Sequence, residues 1–447
     1  GDGILLVLVS YQAPWARESH SQQYDQSGAL LSRQYPSNSG KVIFVYDPSS
    51  HLRAVIGGSS NIHYHYVSGT ALVNSVDVIE DDFHMKTRKR HHRGSVKEIH
   101  HEFLNNAGLN NYTITYQSDS TGRLSTAMLE IIGLSEQTTL IKYDSKIGKL
   151  KGLSDLRISY NSFKSTVMEN LTKNFVREKK YDDYGRFQSL NLIIKGQPLF
   201  RVNIEYNSNS QISLKSVFLL HKTNNEEVAY NANNQVNIVK SEDSNWVYSH
   251  DIIVNFVSVT AQGQRIAMGY DSGDRVVQFG DLEFVTYDDR GFVIRRGEQR
   301  YTYNVLGQMV SAFEPGKFAA RFYYDDQKRL IGVQDHRGNS VQYIYSNPAV
   351  SSQVTHIHEP KTGTVKELLY DEENMLVAME TADNRYYIAT DDAASPIAVF
   401  DTRGKMLKQI KRTPFGRTMH DSSPGIDVPI DFHGGILDKH TRLIHFG

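Results

Sequence analysis

The stretch EFVTYDDRGFVI, residues 283–294, contains the unit on which the fold depends. Its first five residues form an aromatic and β-branched run that ends at Tyr287, which is typical of a strand. Asp288 can accept hydrogen bonds from backbone N–H groups two residues ahead, as in an Asx turn. Gly291 supplies the positive-φ position that closes a hairpin, and a return strand begins at Phe292. The stretch therefore predicts a β-hairpin with aspartate as its corner residue.

This Tyr-Asp unit recurs along the whole chain. Its copies are Tyr24-Asp25, Tyr46-Asp47, Tyr143-Asp144, Tyr181-Asp182, Tyr270-Asp271, Tyr287-Asp288, Tyr324-Asp325 and Tyr370-Asp371, with looser copies at Tyr160-Asn161, Tyr206-Asn207, Tyr230-Asn231, Tyr303-Asn304 and Phe400-Asp401. In the C-terminal half the spacing is about twenty residues, the low end for a repeat built from one supersecondary unit. The repetition predicts an all-β fold whose antiparallel hairpins spiral into a large hollow, barrel-like shell, and it argues against a conventional enzyme.

Composition agrees with an open, partly solvated sheet. Only 39% of the 447 residues are hydrophobic, and the formal net charge is −1, which indicates neither nucleic acid nor an anionic membrane as partner. There is no cysteine, and in a large β array this absence does not select a compartment. The apolar run 4–9 is too short to span a bilayer and has no flanking signal-peptide features, so it is interpreted as a buried strand.

The repeated pattern of strands and turns is interrupted once. Residues 77–103 pass from an acidic patch to a basic one and predict a loop-like charged insertion within a shell of residues 1–430. No convincing amphipathic helix is present, and the best candidates, at 96–104 and 165–174, are short. The basic run Arg90–Arg93 has a minimal spaced-arginine pattern for proteolytic processing, and a mobile loop is the favoured alternative.

Candidate sites are few. Histidines 63, 65, 91, 92, 100 and 101 suggest a metal, but they lack the converging spacing of a zinc site, so satisfied or surface histidines are favoured. No nucleophile elbow or phosphate-binding glycine loop is present, and carboxylates at turns carry no acid–base assignment, so no catalytic residue or cofactor is predicted. Two N-x-S/T sequons, at Asn111 and Asn170, are candidate glycosylation sites if the protein is secreted.

The Tyr-Asp repeats resemble those of the Rhs/YD-repeat superfamily and, more narrowly, the YD shell of teneurins. Specific features lie between residues 275 and 447, including GDLEF at 280–284, DDRGF at 288–292, YIATD at 387–391 and IKRTPFG at 410–416. The end, residues 431–447 with HGGILD at 433–438 and LIHFG at 443–447, resembles the start of the Rhs-associated core motif, which is expected to be truncated here. Several positions differ from vertebrate patterns, which favours an invertebrate member.

The resemblance implies an ectodomain region of a single-pass type II membrane protein on the extracellular side of the cell membrane. It implies cell–cell adhesion and neuronal wiring through latrophilin-class adhesion receptors and homophilic contacts, with homodimerisation through regions outside residues 1–447. It implies no enzymatic activity and no cofactor, and the partner-binding residues are not indicated by the sequence.

An alternative function is a toxin-encapsulating shell with self-processing, because bacterial Rhs relatives enclose toxins and some cleave themselves at aspartates in a D-P-x-G type motif. In this sequence Asp438 is followed by Lys439 instead of proline. A tyrosine-rich carbohydrate-binding surface is a third, weaker alternative.

Overall fold

The computed structural model describes residues 7–11, 20–36, 40–104, 107–146, 148–161, 166–281 and 283–446, with side-chain burial described from residue 20 onward. The aromatic and β-branched runs between turns form strands β1–β41. Their bounds are β1 Val7–Tyr11, β2 His20–Tyr24, β3 Leu30–Gln34, β4 Lys41–Tyr46, β5 Leu52–Gly57, β6 Ser60–Tyr66, β7 Val73–Glu80, β8 Phe83–His92, β9 Ser95–Phe103, β10 Tyr112–Ser118, β11 Leu124–Ile131, β12 Gln137–Tyr143, β13 Leu150–Leu153, β14 Leu156–Tyr160, β15 Thr166–Leu171, β16 Phe175–Tyr181, β17 Phe187–Ile194, β18 Gln197–Tyr206, β19 Ile212–Leu219, β20 Lys222–Tyr230, β21 Val236–Lys240, β22 Asn245–His250, β23 Phe256–Ala261, β24 Gln264–Tyr270, β25 Val276–Phe279, β26 Glu283–Tyr287, β27 Val293–Arg296, β28 Gln299–Tyr303, β29 Met309–Glu314, β30 Phe318–Tyr324, β31 Leu330–Asp335, β32 Ser340–Ile344, β33 His356–Glu359, β34 Thr364–Tyr370, β35 Leu376–Glu380, β36 Arg385–Thr390, β37 Pro396–Phe400, β38 Met406–Arg412, β39 Thr418–Asp421, β40 Ile436–Leu437 and β41 Ile444–His445.

Strands β1–β39 form a single continuous sheet. Each strand pairs antiparallel with the next one along the chain, so that 39 strands are joined by hairpins without a crossover. A 3-10 turn at Phe432–Gly434 precedes the separate hairpin β40–β41. The predicted all-β shell of serial hairpins is confirmed, and the strand expected near residues 4–9 is described as β1, with residues 4–6 outside the described part.

The sheet curves because an extra residue is inserted at the Tyr position of most hairpins. In the pair β26–β27, Thr286 lies opposite Arg295 but Tyr287 lies opposite Val293, which leaves Ile294 as the additional residue. The same register shift precedes Tyr24, Tyr46, Tyr66, Tyr143, Tyr181, Tyr206, Tyr230, Tyr270, Tyr303, Tyr324 and Tyr370. A bulge of this kind bends a strand and increases its twist, so its repetition makes the sheet coil.

The coiled sheet passes over itself. Residues 40–250, the first pass, contact residues 301–415, the second pass, in the same order along the chain. Successive contacts join Val305 to Gly57, Asn304 to Glu80, Gln342 to Asn110, Glu367 to Thr139, Asp371 to Lys179, Asp391 to Lys215 and Phe415 to Tyr248. The second pass has roughly half as many residues as the first pass that it contacts. The coil of the sheet is therefore tighter toward its C-terminal end.

The second pass is enclosed. Strands β31, β32 and β35 are buried on nearly every residue, which means that both of their faces are covered. By contrast, β18 and β20 alternate between covered and exposed positions. The first pass covers one face of the second, and residues 426–446 supply apolar side chains to its core, including Val428, Ile430 and Ile436.

The charged segment 77–103 is not a loop, which corrects the sequence prediction. It lies in strands β7, β8 and β9, and the helix candidate at 96–104 falls within β9. In β8 the buried Phe83, Met85 and Thr87 alternate with outward charged residues. Those charges are paired across to β9, with Arg88 to Glu102 at 2.6 Å and Arg90 to Glu98 at 2.7 Å. The buried and charged residues of β8 therefore alternate with the two-residue period of a strand, despite the high charge of the segment.

The second helix candidate, 165–174, is likewise a strand where it is described, in agreement with the expectation that no convincing helix is present. Its described part contains strand β15, Thr166–Leu171, whose buried positions alternate strictly with half-buried ones. The basic run Arg90–Arg93 lies where β8 turns into β9, with Arg93 at φ 50°. It is thus the end of a tight hairpin rather than a mobile loop, and proteolytic processing there, which the sequence disfavours, is untested.

Candidate functional site: the Tyr-Asp turns and the junction between passes

Each turn is built around the carboxylate or amide oxygen of its corner residue. Asp288 Oδ1 accepts from the backbone N–H groups of Arg290 and Phe292, both at 2.9 Å. The backbone closes the same loop, because Gly291 N donates to Asp288 O at 3.0 Å and Gly291 has φ 92°. The same pair of side-chain bonds occurs at Asp25, Asp47, Asp119, Asp182, Asn207, Asn231, Asp251, Asp271, Asp325, Asp335, Asp371, Asp391 and Asp401. The predicted Asx turn is confirmed.

Many of the tyrosines link their unit to the unit before it. Tyr287 Oη donates to the carbonyl oxygen of Val276 at 2.7 Å, and Val276 lies directly opposite Tyr270 of the preceding unit. Equivalent bonds run from Tyr46, Tyr66, Tyr160, Tyr206, Tyr230, Tyr270, Tyr324 and Tyr345. Such a bond contributes about 1 kcal/mol, and its repetition ties neighbouring turns to one another along much of the sheet.

An arginine strengthens this link, and sequence reasoning did not identify it. Arg275 Nε donates to Asp271 Oδ2 at 2.8 Å, and its guanidinium carbon lies 4.4 Å from the ring centroid of Tyr287 in the next unit. The same bridge is made by Arg53, Arg123, Arg186 and Arg329. The signal was available, since four of these five arginines follow their aspartate by four residues.

Five charged residues lock the two passes together. Asp371, the corner of a second-pass turn, lies 2.8 Å from Lys179 Nζ and 3.1 Å from Arg177 Nη2, both on β16. Lys179 also contacts Glu169 at 3.2 Å and Glu373 at 2.9 Å. Arg177 and Lys179 are each 1% exposed and Glu169 is fully buried. Because such groups are costly to bury without partners, the cluster fixes one register between the passes.

Burial and charge act in opposite directions within this cluster. Burial raises the pKa of Glu169 to about 6, against the attraction of Arg177. Burial also acts to raise the pKa of Asp371, but the nearby Arg177 and Lys179 outweigh it and the net change is a lowering. Asp371 is therefore held as a carboxylate while Glu169 is poised to take up a proton.

Two further ionic contacts extend the junction. Lys215 on β19 lies 2.8 Å from Asp391 and 2.7 Å from Asp392, at the next second-pass turn. At the C-terminal side, Lys408 Nζ donates to Asp421 Oδ2 at 2.9 Å and to the carbonyl of Ile426 at 2.8 Å. These bonds attach the segment after β39 to the second pass.

Glu367 is the second poised carboxylate at the junction. Its Oε1 accepts from the Thr139 hydroxyl of the first pass at 3.2 Å. On β35, Glu380 lies directly opposite it. Burial, followed by repulsion from Glu380, raises the pKa of Glu367 to about 7. The contact between passes here carries a like-charge pair at neutral pH, which is unfavourable.

The two sequons differ in their surroundings. Asn111 is half-buried before β10, and its Oδ1 accepts from Phe103 N at 2.8 Å. Asn170 is half-buried on β15 between the buried Glu169 and Leu171, so its side chain points away from the junction. The structure thus places Asn170 on the outer face and engages Asn111 in a backbone contact.

The histidines are spread over neighbouring strands. His65 and His84 contact Asp77 at 3.4 Å and 3.0 Å, and His101 Nδ1 lies 3.0 Å from the Thr87 hydroxyl. Within the described residues, no group of three or more His, Cys, Asp or Glu side chains is arranged to hold a metal ion. In the same part of the chain, no helix has the length and apolarity needed to cross a bilayer.

Asp438, the residue matched to the bacterial processing motif, is itself a turn residue. It is 2% exposed, and its Oδ2 accepts from Thr441 N at 2.9 Å and from the Thr441 hydroxyl. Its carboxylate is therefore used in the same way as the other turn aspartates.

Solved structures share this fold. The crystal structure of TcdB2-TccC3 superposes with a TM-score of 0.69 at 13% identity, covering 95% of this chain and 27% of that one. The Photorhabdus luminescens Tc holotoxin pore, with the mutation TccC3-D651A, gives a TM-score of 0.65 at 13% identity, covering 97% of this chain and 26% of that one. At this identity the likeness concerns the fold alone.

Sequence relatives are teneurins. Teneurin-m of Drosophila melanogaster is 39% identical over 435 residues, which cover 97% of this chain and 16% of that protein. Human Teneurin-4 and mouse Teneurin-3 are each 25% identical, over 98% of this chain and 16% of their own length. The chain thus spans about one sixth of these relatives. The higher identity to the fly protein agrees with the expected invertebrate member.

The sequence profile described as Teneurin YD-shell matches residues 3–447, nearly the whole chain. The matched region contains the repeated Asx turns, the tyrosine links and the junction between passes described above. The chain therefore belongs to the teneurin family.

Proposed function

We propose that this chain is the extracellular YD-shell region of a cell-surface adhesion protein. It acts in cell–cell recognition and neuronal wiring by binding latrophilin-class adhesion receptors and by self-association. The observation that carries the proposal is the Teneurin YD-shell match over residues 3–447. The membrane span of the type II topology, and the contacts that form a homodimer, belong to other parts of the protein.

The geometry supports a scaffold. Links between successive turns run along the first pass and into the second, and buried ion pairs fix the passes against each other. A fixed, curved sheet presents its outer side chains in a constant arrangement, which reduces the entropy lost when a partner binds. The aspartates act through hydrogen bonds to backbone N–H groups, so the proposal assigns them no catalytic role.

Receptor binding is tested with the purified chain and a latrophilin ectodomain in a biosensor experiment. Saturable binding at micromolar or lower concentration is expected. A chain that folds, as judged by a cooperative unfolding transition, but shows no binding in this range would contradict direct receptor contact by this region. Aggregation of cells that display the full-length protein, compared with cells that display it without residues 1–447, tests self-association separately.

We propose that Asn170 carries an N-linked glycan and that Asn111 is the weaker acceptor, because Asn170 lies on the outer face and Asn111 is engaged with Phe103 N. Protein from a secretory host should lose mass on glycosidase treatment. Asn170→Gln should remove most of that loss and Asn111→Gln less of it. No mass loss in the wild-type chain would remove this support for an extracellular location.

A second candidate function is an Rhs-type toxin-encapsulating shell with self-processing. The likeness to the TccC3-containing structures favours it, as does the enclosed second pass. The engagement of Asp438 with Thr441 weighs against cleavage at that residue. Intact-mass measurement of the full-length protein decides the point, since self-processing requires a cut near Asp438 that Asp438→Asn abolishes.

A further inference from the structure

The outer face of strands β26–β30 carries an unusual row of side chains. The register places Thr286 opposite Arg295, Arg295 opposite Arg300, Arg300 opposite Phe313 and Phe313 opposite Ala319. Phe284 lies two residues before Thr286 on the same strand, and hence on the same face. We call Phe284, Arg295, Arg300 and Phe313 the Phe-Arg patch.

The patch faces solvent, whereas the opposite face of the same strands is buried. Phe284 is 57% exposed and Phe313 44% exposed, and the side chain of Arg295 is 50% exposed. On the inner face, Val285 and Tyr301 are buried. The two exposed phenylalanines and the arginine pair between them therefore lie on the solvent-facing side of a well-packed sheet.

The two arginines are incompletely neutralised. Arg295 Nε donates to the carbonyl oxygen of Gly297 at 2.8 Å, and its only carboxylate contact among the described residues is Glu298 at 3.7 Å, which is itself 71% exposed. For the Arg300 side chain, no ion pair or hydrogen bond is found within the described residues. Like charges directly opposite each other on a sheet are destabilising, so this arrangement does not serve the stability of the isolated chain.

Several other outward arginines are paired. Arg88 and Arg90 contact glutamates on β9, and Arg321, on the next strand beyond the patch, contacts Asp82 at 2.7 Å. In the Phe-Arg patch, Arg300 has no such partner in the described part of the chain and Arg295 has only the exposed Glu298, and both arginines lie beside exposed aromatic rings. Arginine and aromatic residues together are the composition of binding hot spots.

We infer that the Phe-Arg patch is a docking surface for an acidic segment of a partner protein, with carboxylates seated over Arg295 and Arg300 and apolar side chains against Phe284 and Phe313. Charge complementarity selects this occupant, since planar guanidinium groups bind carboxylates in a bidentate manner. The inference rests on the proposed function in one respect, because the proposed function also places partner proteins on the outer face of the sheet.

The test uses the whole chain and two fluorescent synthetic peptides, one alternating glutamate and leucine and one with glutamine in place of every glutamate. The chain is expected to bind the first peptide and not the second. Arg295→Glu with Arg300→Glu should weaken binding by about tenfold or more, because both cations are replaced by repulsive charges. Phe284→Ser with Phe313→Ser should weaken it without altering its salt dependence.

The matched control is Arg265→Glu, another exposed outward arginine, on β24. It should leave peptide binding unchanged, and all variants should unfold at the same temperature as the wild-type chain. Equal loss with Arg265→Glu, or binding unaffected by the double arginine variant, would overturn the inference. Binding of a heparin oligosaccharide is measured in parallel. If heparin binds through the patch and the peptide does not bind, the partner is a sulfated glycan and the inference of a protein partner is overturned.

Receptor binding is measured on the same variants so that the two proposals fail separately. If the latrophilin ectodomain binds all variants equally while the peptide results fail, the proposed function stands and the patch assignment falls. If the peptide results hold but neither the wild-type chain nor any variant binds the receptor, the patch assignment stands and the proposed receptor binding falls.

Discussion

Lys179 and Asp371 form a 2.8 Å ion pair although they lie on different passes of the sheet, and Lys179 is only 1% exposed. Their contact joins a strand of the first pass to the corner of a second-pass turn. The same aspartate keeps its local role, since it accepts from Glu373 N and Met375 N, both at 2.9 Å. One carboxylate thus closes a hairpin and also holds two passes together.

Replacing Lys179 with alanine should lower the free energy of unfolding by about 3–5 kcal/mol, because Glu169 and Asp371 would be left buried beside a single cation. Urea unfolding followed by tryptophan fluorescence measures the change. Lys222→Ala is the control, since the Lys222–Asp243 pair is exposed on both sides and should contribute less than about 1 kcal/mol. Equal effects of the two variants would contradict a buried lock.

The tyrosine links predict a smaller, specific loss. Tyr206→Phe removes the hydroxyl that donates to Phe187 O at 2.7 Å but keeps the ring on which Arg186 stacks. The free energy of unfolding should fall by about 1 kcal/mol. Tyr184→Phe, at an exposed turn residue, should have no measurable effect, and a similar loss there would show that hydroxyl removal is not acting through the link.

Val254 is a strained position in the row of turns. It has φ 82°, where the equivalent residues of other turns include Gly291 at φ 92° and Asn234 at φ 62°. A β-branched residue in the left-handed region is a steric outlier, so Val254→Gly should stabilise the chain by about 1 kcal/mol. Gly291→Val should destabilise it. Thermal unfolding of the pair is the measurement, and a destabilising Val254→Gly would contradict the strain.

The contribution of Glu367 to stability should fall as the pH rises. The folded-state pKa of Glu367 is raised to about 7, above the unfolded value of about 4.3. Its contribution is therefore fully present below about pH 4 and is lost as the pH rises through 7. Glu367→Gln should be more stable than wild type at pH 8 by about 1–2 kcal/mol, after allowing for solvent screening, and should differ little at pH 5.

Urea unfolding at both pH values tests this, with the exposed Glu227→Gln as control. The same difference between wild type and Glu367→Gln at pH 5 and at pH 8 would contradict the assignment.

The turns were predictable because their chemistry is local. Asp288, Gly291 and Tyr287 lie within five residues, and each residue type has a short-range reason to be there. The all-β repeat follows from them. The strand nature of residues 77–103 was missed because the charges on β8 obscured the buried Phe83 and Met85.

Contacts between passes were not predictable from the sequence. The residues that meet, such as Thr139 and Glu367, are more than two hundred positions apart, and their register depends on how many bulges accumulate between them. Asp371 looks like any other turn aspartate in the sequence. Its second role appears only once β16 lies beside it, and the same holds for the exposure of Phe284 and Phe313.

The relation between the passes can be tested directly, because the wild-type chain contains no cysteine. A Cβ atom built at Gly57 comes within van der Waals overlap of Val305 Cγ1, whereas one built at the adjacent Gly58 has nothing within 4 Å. The double variant Gly57→Cys, Val305→Cys should form a disulfide on mild oxidation, detected as a mobility shift on a non-reducing gel and by mass spectrometry of the linked peptides. The control Gly58→Cys, Val305→Cys should not. Absence of the link in the first variant, or equal linking in both, would contradict a second pass seated against the first.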